Sequence, residues 1–164
     1  MKLLALETAT EACSVALWND GEVLERFEIA PRRHAELTLP WIEELLAQAG
    51  MVRAQLDAVA CGRGPGAFTG VRLAVAITQG LALALDRPAV GVSTLDALAL
   101  PAMRALERAG DSATGELAAI ADLAARLGVE RRGEGIAPED LQPAYLRNKV
   151  ALTLAEQGKP LPAG

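Results

Sequence analysis

Short apolar blocks open the chain, and each predicts a β-strand because it is too short for a helix and is bounded by turn signals. The blocks are Lys2–Glu7, Cys13–Trp18 and Glu22–Ile29. Asn19–Gly21, between the second and third blocks, is a tight-turn sequence that tolerates positive φ angles. The pattern predicts a short antiparallel meander.

The next stretch has helical spacing. Over Arg33–Ala49, large apolar residues recur every four positions, which predicts an amphipathic helix. Pro40 lies inside it and either kinks the helix or marks its true start. Gly50 is a suitable stop, and Leu56–Cys61 then predicts a short buried strand.

A glycine-rich loop leads into an unusually apolar helix. Gly62–Gly66 holds three glycines and a proline, and Phe68–Leu85 is predicted to be helical. The strongly polar side chains of this helix are Arg72, Thr78 and Gln79. A helix that is apolar nearly all round must be covered nearly all round. One side can lie on its own sheet, and the other requires a partner.

The order of the predicted elements indicates the fold class. Arg87–Ser93 predicts a further strand and Thr94–Leu106 a further helix, so the order is βββ-α-β-α-β-α. A hairpin sheet extended by parallel strands, with helices between them, is an α/β fold with a mixed sheet and flanking helices. It fits one lobe of the actin-like ATPases, whose core is similar to ribonuclease H.

The chain changes character in its last third, so we divide it into a first lobe at 1–107 and an incomplete second lobe with a C-terminal tail at 108–164. Asp111–Arg132 is rich in alanine and charge and is helical at best. Ile136–Tyr145 is predicted to be extended or turned, and Asn148–Glu156 to be a short helix. None of these stretches predicts a strand, so the second lobe is either abridged or has lost segments.

Composition and charge limit the class of protein. The 164 residues suffice for one domain or two small lobes, and 51% hydrophobic with 23% charged residues indicates a globular chain. A net charge of −5 argues against a protein that binds nucleic acid without a partner protein, because neutralising the phosphates requires a surplus of basic residues.

The cysteines and the hydropathy of the sequence indicate the cellular compartment of the protein. Cys13 and Cys61 lie in apolar runs without metal-type spacing, so we expect buried, reduced thiols. No signal-like segment opens the sequence, and no apolar run reaches the ~18 residues of a membrane span. A soluble cytoplasmic protein is expected.

Several short motifs stand in an order typical of one family. They are Glu7–Thr10, His34–Glu36, Gly64–Arg72, Gly80–Leu85, Gly91–Leu95 and Tyr145–Arg147. Together they resemble the bacterial TsaB family, also called YeaZ, strongly over residues 1–107 and more weakly over 135–151. The run GPGAFTGVR at Gly64–Arg72 is the family-specific motif, and the others support it in context.

The resemblance implies a function in tRNA modification. TsaB proteins have two actin-like lobes and are non-catalytic subunits of the machinery that makes threonylcarbamoyladenosine on tRNA. They pair with a catalytic subunit, TsaD, through helices of the first lobe, form homodimers alone, and join a TsaE-like ATPase in a larger complex. We therefore expect a scaffold subunit that reaches tRNA only through the complex and contacts no membrane. It requires no cofactor itself, and ATP or ADP is expected where it meets its partner.

The histidines of the catalytic paralogue are missing from this chain. That paralogue carries two metal-ligating histidines, four residues apart after the Gly-Val strand, and the resemblance maps them onto Thr94 and Leu98. Leu98 cannot bind a metal, and Thr94 does not replace a histidine. The one histidine of the chain, His34, lies far upstream. A histidine-based metal centre within one chain is therefore excluded.

The two helices of the first lobe are expected to bind the partner. In Phe68–Leu85, one row of small residues lets another backbone come close, and an adjacent row is large and apolar. Two such two-helix surfaces form a four-helix interface. The predicted contact residues are Leu37, Trp41, Leu45, Gly70, Leu73, Ala74, Ile77, Thr78 and Leu81. Trp18 and Trp41 are either interface anchors or core residues.

The glycine-rich loop has two interpretations. Backbone amides at a helix N-terminus attract anions, so Glu7, Thr8, Thr10, Gly64 and Gly66 are candidates for a weak anion or nucleotide site. However, the loop does not end in the Gly-Lys-Ser or Gly-Lys-Thr of a phosphate-binding Walker loop. The alternative is that the glycines permit a tight strand-to-helix turn and close packing.

Other polar residues also leave alternatives open. Glu7 belongs to a residual phosphate–metal site, or it is a solvated strand end whose neighbouring hydroxyls bond their own turn. His34, Arg32 and Arg33 have two interpretations. They form a pH-sensitive or anion-contacting cluster, or they are simply the solvent-exposed start of a helix. Further arginines that either contact tRNA phosphate or are simply solvated are Arg131, Arg132 and Arg147.

A function of another class is also considered, a small actin-like nucleotide-binding phosphotransferase or hydrolase. The missing histidines and the incomplete second lobe count against it. Turnover of ATP that depends on Glu7 or Gly66 would favour it over the scaffold.

Overall fold

The structure, a computed structural model, describes residues 1–97 and 135–144. Some of the predictions lie outside these residues. They are the division at residue 107, the predicted helix beyond Ala97, the segments 111–132 and 148–156, the motif at Tyr145–Arg147, and the residues Leu98, Arg131, Arg132 and Arg147.

The described residues form a five-stranded mixed sheet with two long helices. The elements are β1 (Lys2–Glu7), β2 (Ala12–Asn19), β3 (Glu22–Ile29), α1 (His34–Gln48), β4 (Ala58–Gly62), α2 (Phe68–Leu85) and β5 (Ala89–Val92), with 3-10 turns at Arg53–Gln55 and Pro138–Asp140. The strand order is β3-β2-β1-β4-β5. Pairing is antiparallel between β3, β2 and β1, and parallel between β1, β4 and β5. The predicted α/β fold with a mixed sheet is confirmed.

The turn residues behave as the sequence predicts. Asp20 and Gly21 both have positive φ angles, 50° and 111°, in the hairpin between β2 and β3. Gly50 follows α1 with a φ of 63°. Of the two alternatives for Pro40, a kink or the start of the helix, the second is excluded, because the helix begins at His34 and continues through the proline. Pro40 is exposed, so the carbonyl that loses its helical partner there can face water.

The two faces of the sheet are covered by different side chains, because successive residues of a strand point to opposite faces. The face under α1 and α2 has a core that includes Leu4, Leu6, Val15, Leu17, Ile42, Leu45, Val59 and Val75. The opposite face carries mostly smaller residues, namely Leu3, Ala5, Ala16, Ala58, Ala60, Val90, Val92 and Ala97. β1 is buried on both faces, which explains its continuous apolar sequence. Cys13 and Cys61 are buried and free, as expected.

The segment 135–144 returns to the sheet and to α2. Ile136 forms an antiparallel bridge with Ala89 on β5. The side-chain amide of Gln79 donates to the Leu141 carbonyl at 3.0 Å, and Leu141 is fully buried in the core under the helices. Gln79 thus faces this returning segment, which explains a polar residue in the middle of an apolar helix.

Helix α2 is longer and more apolar than the sequence analysis expected of any stretch of this chain. By length and composition it suffices to cross a membrane, so the expectation that no apolar stretch reaches that size is wrong. In the fold it connects the parallel strands β4 and β5 and packs one side on the sheet. Only 33% of its residues are buried. Much of this apolar helix is therefore exposed at the surface of the described residues.

Candidate functional site

The glycine-rich loop lies where the parallel strands β1, β4 and β5 end, and it packs directly against the turn that follows β1. A Cβ added at Gly62 would overlap the Glu7 carboxylate, and one at Gly70 would overlap the Thr8 carbonyl oxygen. A Cβ at Gly66 would overlap the carbonyl oxygen of Ala9 in the same way. Glycine is required at these positions because another backbone or side chain occupies the space. The close-packing interpretation of the loop is supported.

Hydrogen bonds fasten the loop and the start of α2 to the β1–β2 turn. The Thr8 hydroxyl donates to the Gly70 carbonyl at 2.7 Å, and both residues are buried. The Ala67 amide, just before α2, donates to the Ala9 carbonyl at 2.7 Å. Because buried polar groups are costly when unpaired, these bonds fix the position of the helix start relative to β1.

The other side of the loop is bonded to β5 and to the returning segment. The Arg63 amide donates to the Val92 carbonyl at 2.9 Å, and the Thr94 amide donates to the Gly64 carbonyl at 3.0 Å. The Ala144 amide donates to the Arg63 carbonyl at 2.6 Å. Gly64 has a φ of 94°, a conformation that glycine adopts without strain. The loop is thus the junction of three segments of the chain.

Glu7 is fully buried at this junction, so its interpretation as a solvated strand end is wrong. Its Oε1 accepts a hydrogen bond from the Ala9 amide at 2.6 Å, and its Oε2 accepts one from the Thr94 hydroxyl at 2.9 Å. Burial raises the pKa of the Glu7 carboxyl, and the hydrogen bonds from Ala9, Thr94 and Thr8 oppose that shift without cancelling it. Because Glu7 is fully buried and each of its oxygens accepts a hydrogen bond from within the chain, the carboxyl presents no exposed atom to a phosphate-bound metal ion.

Thr94 is therefore a partner of Glu7 rather than a group facing a ligand. It occupies one of the two positions that the resemblance matches to histidines of the catalytic paralogue, and its hydroxyl is turned into the protein. Among the described residues, no three His, Cys, Asp or Glu side chains gather as metal ligands would. Burial raises the pKa of the nearby Cys61 thiol to about 12, so this thiol is unreactive near neutral pH.

A cleft of about 380 Å³ opens between the starts of α1 and α2. Its lining comprises Thr8, Thr10, Arg32, His34, Ala35, Ala67, Thr69, Gly70 and Leu73. Of the five residues predicted for an anion site, only Thr8 and Thr10 line this cleft. Glu7 is engaged at the junction, Gly64 is buried, and Gly66 packs on the turn after β1.

The predicted basic cluster is divided between this cleft and the surface. His34 is half-buried, with its Nε2 at 3.1 Å from the Thr10 carbonyl oxygen. Arg33 points elsewhere and forms surface ion pairs, one with Glu28 at 2.6 Å and one with Glu36 at 3.8 Å. Arg32 lines the cleft. The lining of the cleft therefore includes one arginine and the threonines Thr8, Thr10 and Thr69. Sequence reasoning did not connect Thr69 with the others.

The row of small residues predicted to meet a partner faces the sheet instead. Gly70, Ala74 and Thr78 are buried within the chain, as is Leu45 on α1, so these four predicted contacts are wrong. The reason is the close approach of the β1–β2 turn, which uses the missing side chain of Gly70. The row does let another backbone come close, but that backbone belongs to the same chain.

A second row of α2 residues points outward, and sequence reasoning missed it. Ala76, Gly80 and Leu83 are exposed, and Leu83 is 72% accessible. The predicted residues Leu73, Ile77 and Leu81 are half-buried beside this row. On α1, Leu37 and Trp41 are half-buried and Leu39 is 50% exposed. We define the outer face as Leu37, Leu39, Trp41, Leu73, Ala76, Ile77, Gly80, Leu81 and Leu83.

The outer face is continuous across the two helices. A groove of about 410 Å³ lies between them, lined by Leu39, Pro40, Ile42, Glu43, Arg53 and Leu81. An ion pair of Arg53 with Glu43 at 2.7 Å lies at its side. Trp41 packs against the core under the helices and Trp18 against the opposite core, so both contribute to core packing.

Comparisons with known proteins show which family the chain is similar to. A family model described as TsaD, tRNA N6-adenosine threonylcarbamoyltransferase, matches residues 27–113. The tRNA threonylcarbamoyladenosine biosynthesis protein TsaB of Escherichia coli strain K12 is 52% identical over 104 residues, covering 63% of this chain and 45% of that protein. TsaB of Haemophilus influenzae is 52% identical over 99 residues, covering 60% and 42%. The chain thus spans less than half the length of these curated relatives.

A solved structure extends the match over most of the chain. YeaZ from Pseudomonas aeruginosa superposes with a TM-score of 0.75 and 32% sequence identity. The superposition covers 88% of this chain and 99% of that one.

Proposed function

The chain belongs to the TsaB (YeaZ) family, and on this premise we propose that it is a non-catalytic scaffold subunit in the biosynthesis of threonylcarbamoyladenosine on tRNA. It binds a TsaD-like catalytic subunit through the outer face of α1 and α2. The observation that carries this proposal is the exposure of an apolar helix: only 33% of α2 is buried, and Leu83 is 72% accessible. Contiguous apolar surface of this kind is typical of protein interfaces.

The shape of the outer face fits a partner that presents helices. Ala76 and Gly80 have small or no side chains, so a helix axis can come close to α2 there. Leu73 and Ile77 flank this row, and the groove beside Leu81 can accept apolar side chains. A partner of related fold would present two helices of its own and complete a four-helix interface. In the absence of that partner, a second copy of this chain takes its place and a homodimer forms.

The proposal assigns the transfer of the threonylcarbamoyl group to the partner. Thr94 bonds Glu7 inside the protein, and among the described residues no three His, Cys, Asp or Glu side chains gather as the ligands of a catalytic metal would. The chain therefore supports the catalytic subunit by binding it. A TsaE-like ATPase joins the larger complex, tRNA is contacted only through that complex, and the location is cytoplasmic.

Sedimentation of the chain, alone and mixed with the TsaD-like subunit of the same organism, tests the proposal. Ala76→Arg places a charge on the outer face at an exposed position, so the fold should survive while homodimer and heterodimer are both lost. The matched control is Ile29→Arg, which adds the same charge at a 52% exposed apolar residue on the sheet face opposite α1 and α2. Circular dichroism confirms that both variants fold.

The outcomes separate the scaffold from its alternatives. Loss of both assemblies in Ala76→Arg, with both retained in Ile29→Arg, supports the outer face as the binding surface. If the wild-type chain ignores the TsaD-like subunit, or if Ala76→Arg binds it normally, the proposal fails. A steady hydrolysis of ATP by the isolated chain, abolished by Arg32→Ala in the cleft, would favour the nucleotide hydrolase instead.

For nucleotide binding we propose that the cleft between the starts of α1 and α2 accepts phosphate groups of ATP or ADP only when the partner is bound. Arg32 supplies a positive charge, and Thr10 and Thr69 supply hydroxyl donors around about 380 Å³. The isolated cleft is small and open on one side, so the partner must complete it. Calorimetric titration with ADP should show binding to the complex, weakened by Arg32→Ala and unaffected by Arg26→Ala. Equal affinity of the isolated chain for ADP would contradict the proposal.

A further inference from the structure

The complete burial of the Glu7 carboxyl is not required by the scaffold role. Glu7 points to the sheet face opposite α1 and α2, because Leu3 and Ala5 on the same strand belong to the core of that face. In the pairing of β1 with β2, Ser14 is directly opposite Glu7. Gly62 follows Cys61, the residue of β4 that pairs with Leu6, and therefore lies beside Glu7.

This one side chain ties three segments together. Its Oε1 accepts a hydrogen bond from the Ala9 amide of the turn after β1. Its Oε2 accepts one from the hydroxyl of Thr94, which begins a further helix whose described residues are 94–97. It also fills the space above Gly62 in which a Cβ would otherwise lie. The turn, the glycine-rich loop and the start of the helix at Thr94 thus share the Glu7 carboxyl as their common contact.

The surroundings of the carboxyl contain no compensating charge among the described residues. Cys61 on β4 is a neutral thiol, whose pKa burial raises to about 12, and Arg63 in the loop is exposed. Asp96, in the helix that begins at Thr94, is exposed as well. On β2, the neighbour is Ser14, whose buried hydroxyl has no hydrogen-bond partner in the part of the chain that the structure describes. An ionised Glu7 would therefore be a buried anion without a cation.

We propose that Glu7 is a proton-operated latch, which holds the glycine-rich loop and the start of the helix at Thr94 on the end of β1 while it is protonated, and loosens them when it ionises. In the protonated form, Oε1 still accepts from the Ala9 amide, and the carboxyl O–H can donate to the hydroxyl oxygen of Thr94 or Ser14. The ionised form requires solvation. Water can reach it only if the loop parts from the turn, because Glu7 is completely buried.

The direction of the pH dependence follows from linkage. Burial places the pKa of Glu7 in the folded protein above its ordinary value of 4.5, so between these two pKa values the folded state binds more protons than the unfolded state. The contribution of Glu7 to stability is therefore fully present below pH 4.5 and is lost as the pH rises through the folded-state pKa. Within that window the unfolding equilibrium constant rises up to tenfold per pH unit, because one proton is released on unfolding.

Urea unfolding of the full chain at closely spaced pH values, for wild type and Glu7→Gln, tests the latch. Glutamine keeps the size and an acceptor oxygen but does not titrate, so the slope that wild type shows in this window should disappear. Glu36→Gln, at an exposed carboxylate on α1, is the matched control and should keep the wild-type slope. Thr94→Val removes a hydrogen bond that lowers the pKa, so the window should extend to higher pH.

Parallel pH profiles for wild type and Glu7→Gln would overturn the proposal. Because Glu7→Gln can fail to fold, the carboxyl of Glu7 is also titrated in the folded wild-type chain by carbon-13 NMR. The expected result is a midpoint above 4.5, with the amide signals of Ala9, Gly64 and Thr94 shifting at the same pH. A midpoint at or below 4.5, or amides that do not respond, contradicts the latch. Neither measurement involves a partner, so the result is independent of the scaffold proposal.

Discussion

Helix α2 carries two rows of small residues, and they have opposite environments. The inner row, Gly70, Ala74 and Thr78, is buried under the chain's own sheet and turn. The outer row, Ala76 and Gly80, is exposed, and a Cβ at Gly80 would meet no atom within 4 Å. Small side chains therefore mark where a backbone can come close, but they do not say whether that backbone belongs to the same chain or to another. The distinction requires the three-dimensional position of the β1–β2 turn.

Of the substitutions that test the difference between the two rows, Ala74→Arg is expected to have the largest effect. The change places a charge without a counter-ion in the core between α2 and the sheet, which costs at least ~3–5 kcal/mol of a total stability of about 5–15 kcal/mol. We expect the loss of the cooperative urea transition, followed by circular dichroism. Ala76→Arg, two residues along the same helix, is the control and should unfold like wild type at a protein concentration low enough for the homodimer to dissociate. Similar unfolding of the two variants would show that the rows are not distinguished as described.

A smaller effect is expected from Gly70→Ala. The added methyl group overlaps the Thr8 carbonyl, and a backbone atom cannot move aside as the end of a flexible side chain can. Such overpacking typically costs about 1–3 kcal/mol, and here it also strains the hydrogen bond that Thr8 donates to the Gly70 carbonyl. The midpoint of urea unfolding should fall accordingly. An unchanged or raised midpoint would contradict the close approach of the turn.

The smallest effect, and one of opposite sign, is expected from Gly80→Ala. The position is open, so the substitution adds helix propensity and should stabilise the isolated chain by about 0.5–1 kcal/mol. In the complex, the same methyl group lies where a partner helix would approach, so the affinity for the TsaD-like subunit should fall. Calorimetry of unfolding and of binding measures both signs. If Gly80→Ala stabilises the chain but leaves its affinity for the TsaD-like subunit unchanged, the partner does not contact Gly80, and the binding surface is limited to residues nearer Leu73.

The element boundaries were predictable because the local signals agree with one another. β1, β3 and α2 begin and end at the predicted residues, since apolar blocks of strand length alternate with turn residues of fixed conformational preference. The sequence alone could not decide whether Pro40 starts α1 or lies within it, because an exposed proline can be tolerated within a helix that tertiary packing stabilises.

The environment of Glu7 and the composition of the cleft were not predictable, because they depend on contacts between distant parts of the chain. Glu7 and Thr94 are 87 residues apart, and a carboxylate at a strand end usually faces water. His34 meets Thr10 across 24 residues. The assignment of the outer row on α2 failed for a related reason. Both rows have small residues at helical spacing, so periodicity could not tell which one faces the sheet.

The return of residues 135–144 to the sheet has a consequence for the order of events during synthesis. Ile136 seals the edge of β5 at Ala89, and Leu141 fills a place in the core beside α2. Until these residues have left the ribosome, the nascent sheet presents an open strand edge and an unfilled core position. Such intermediates are prone to edge-to-edge association. Final closure of the sheet edge and the core therefore waits for residues 135–144, and a nascent-chain chaperone would have to act before Leu141 has emerged.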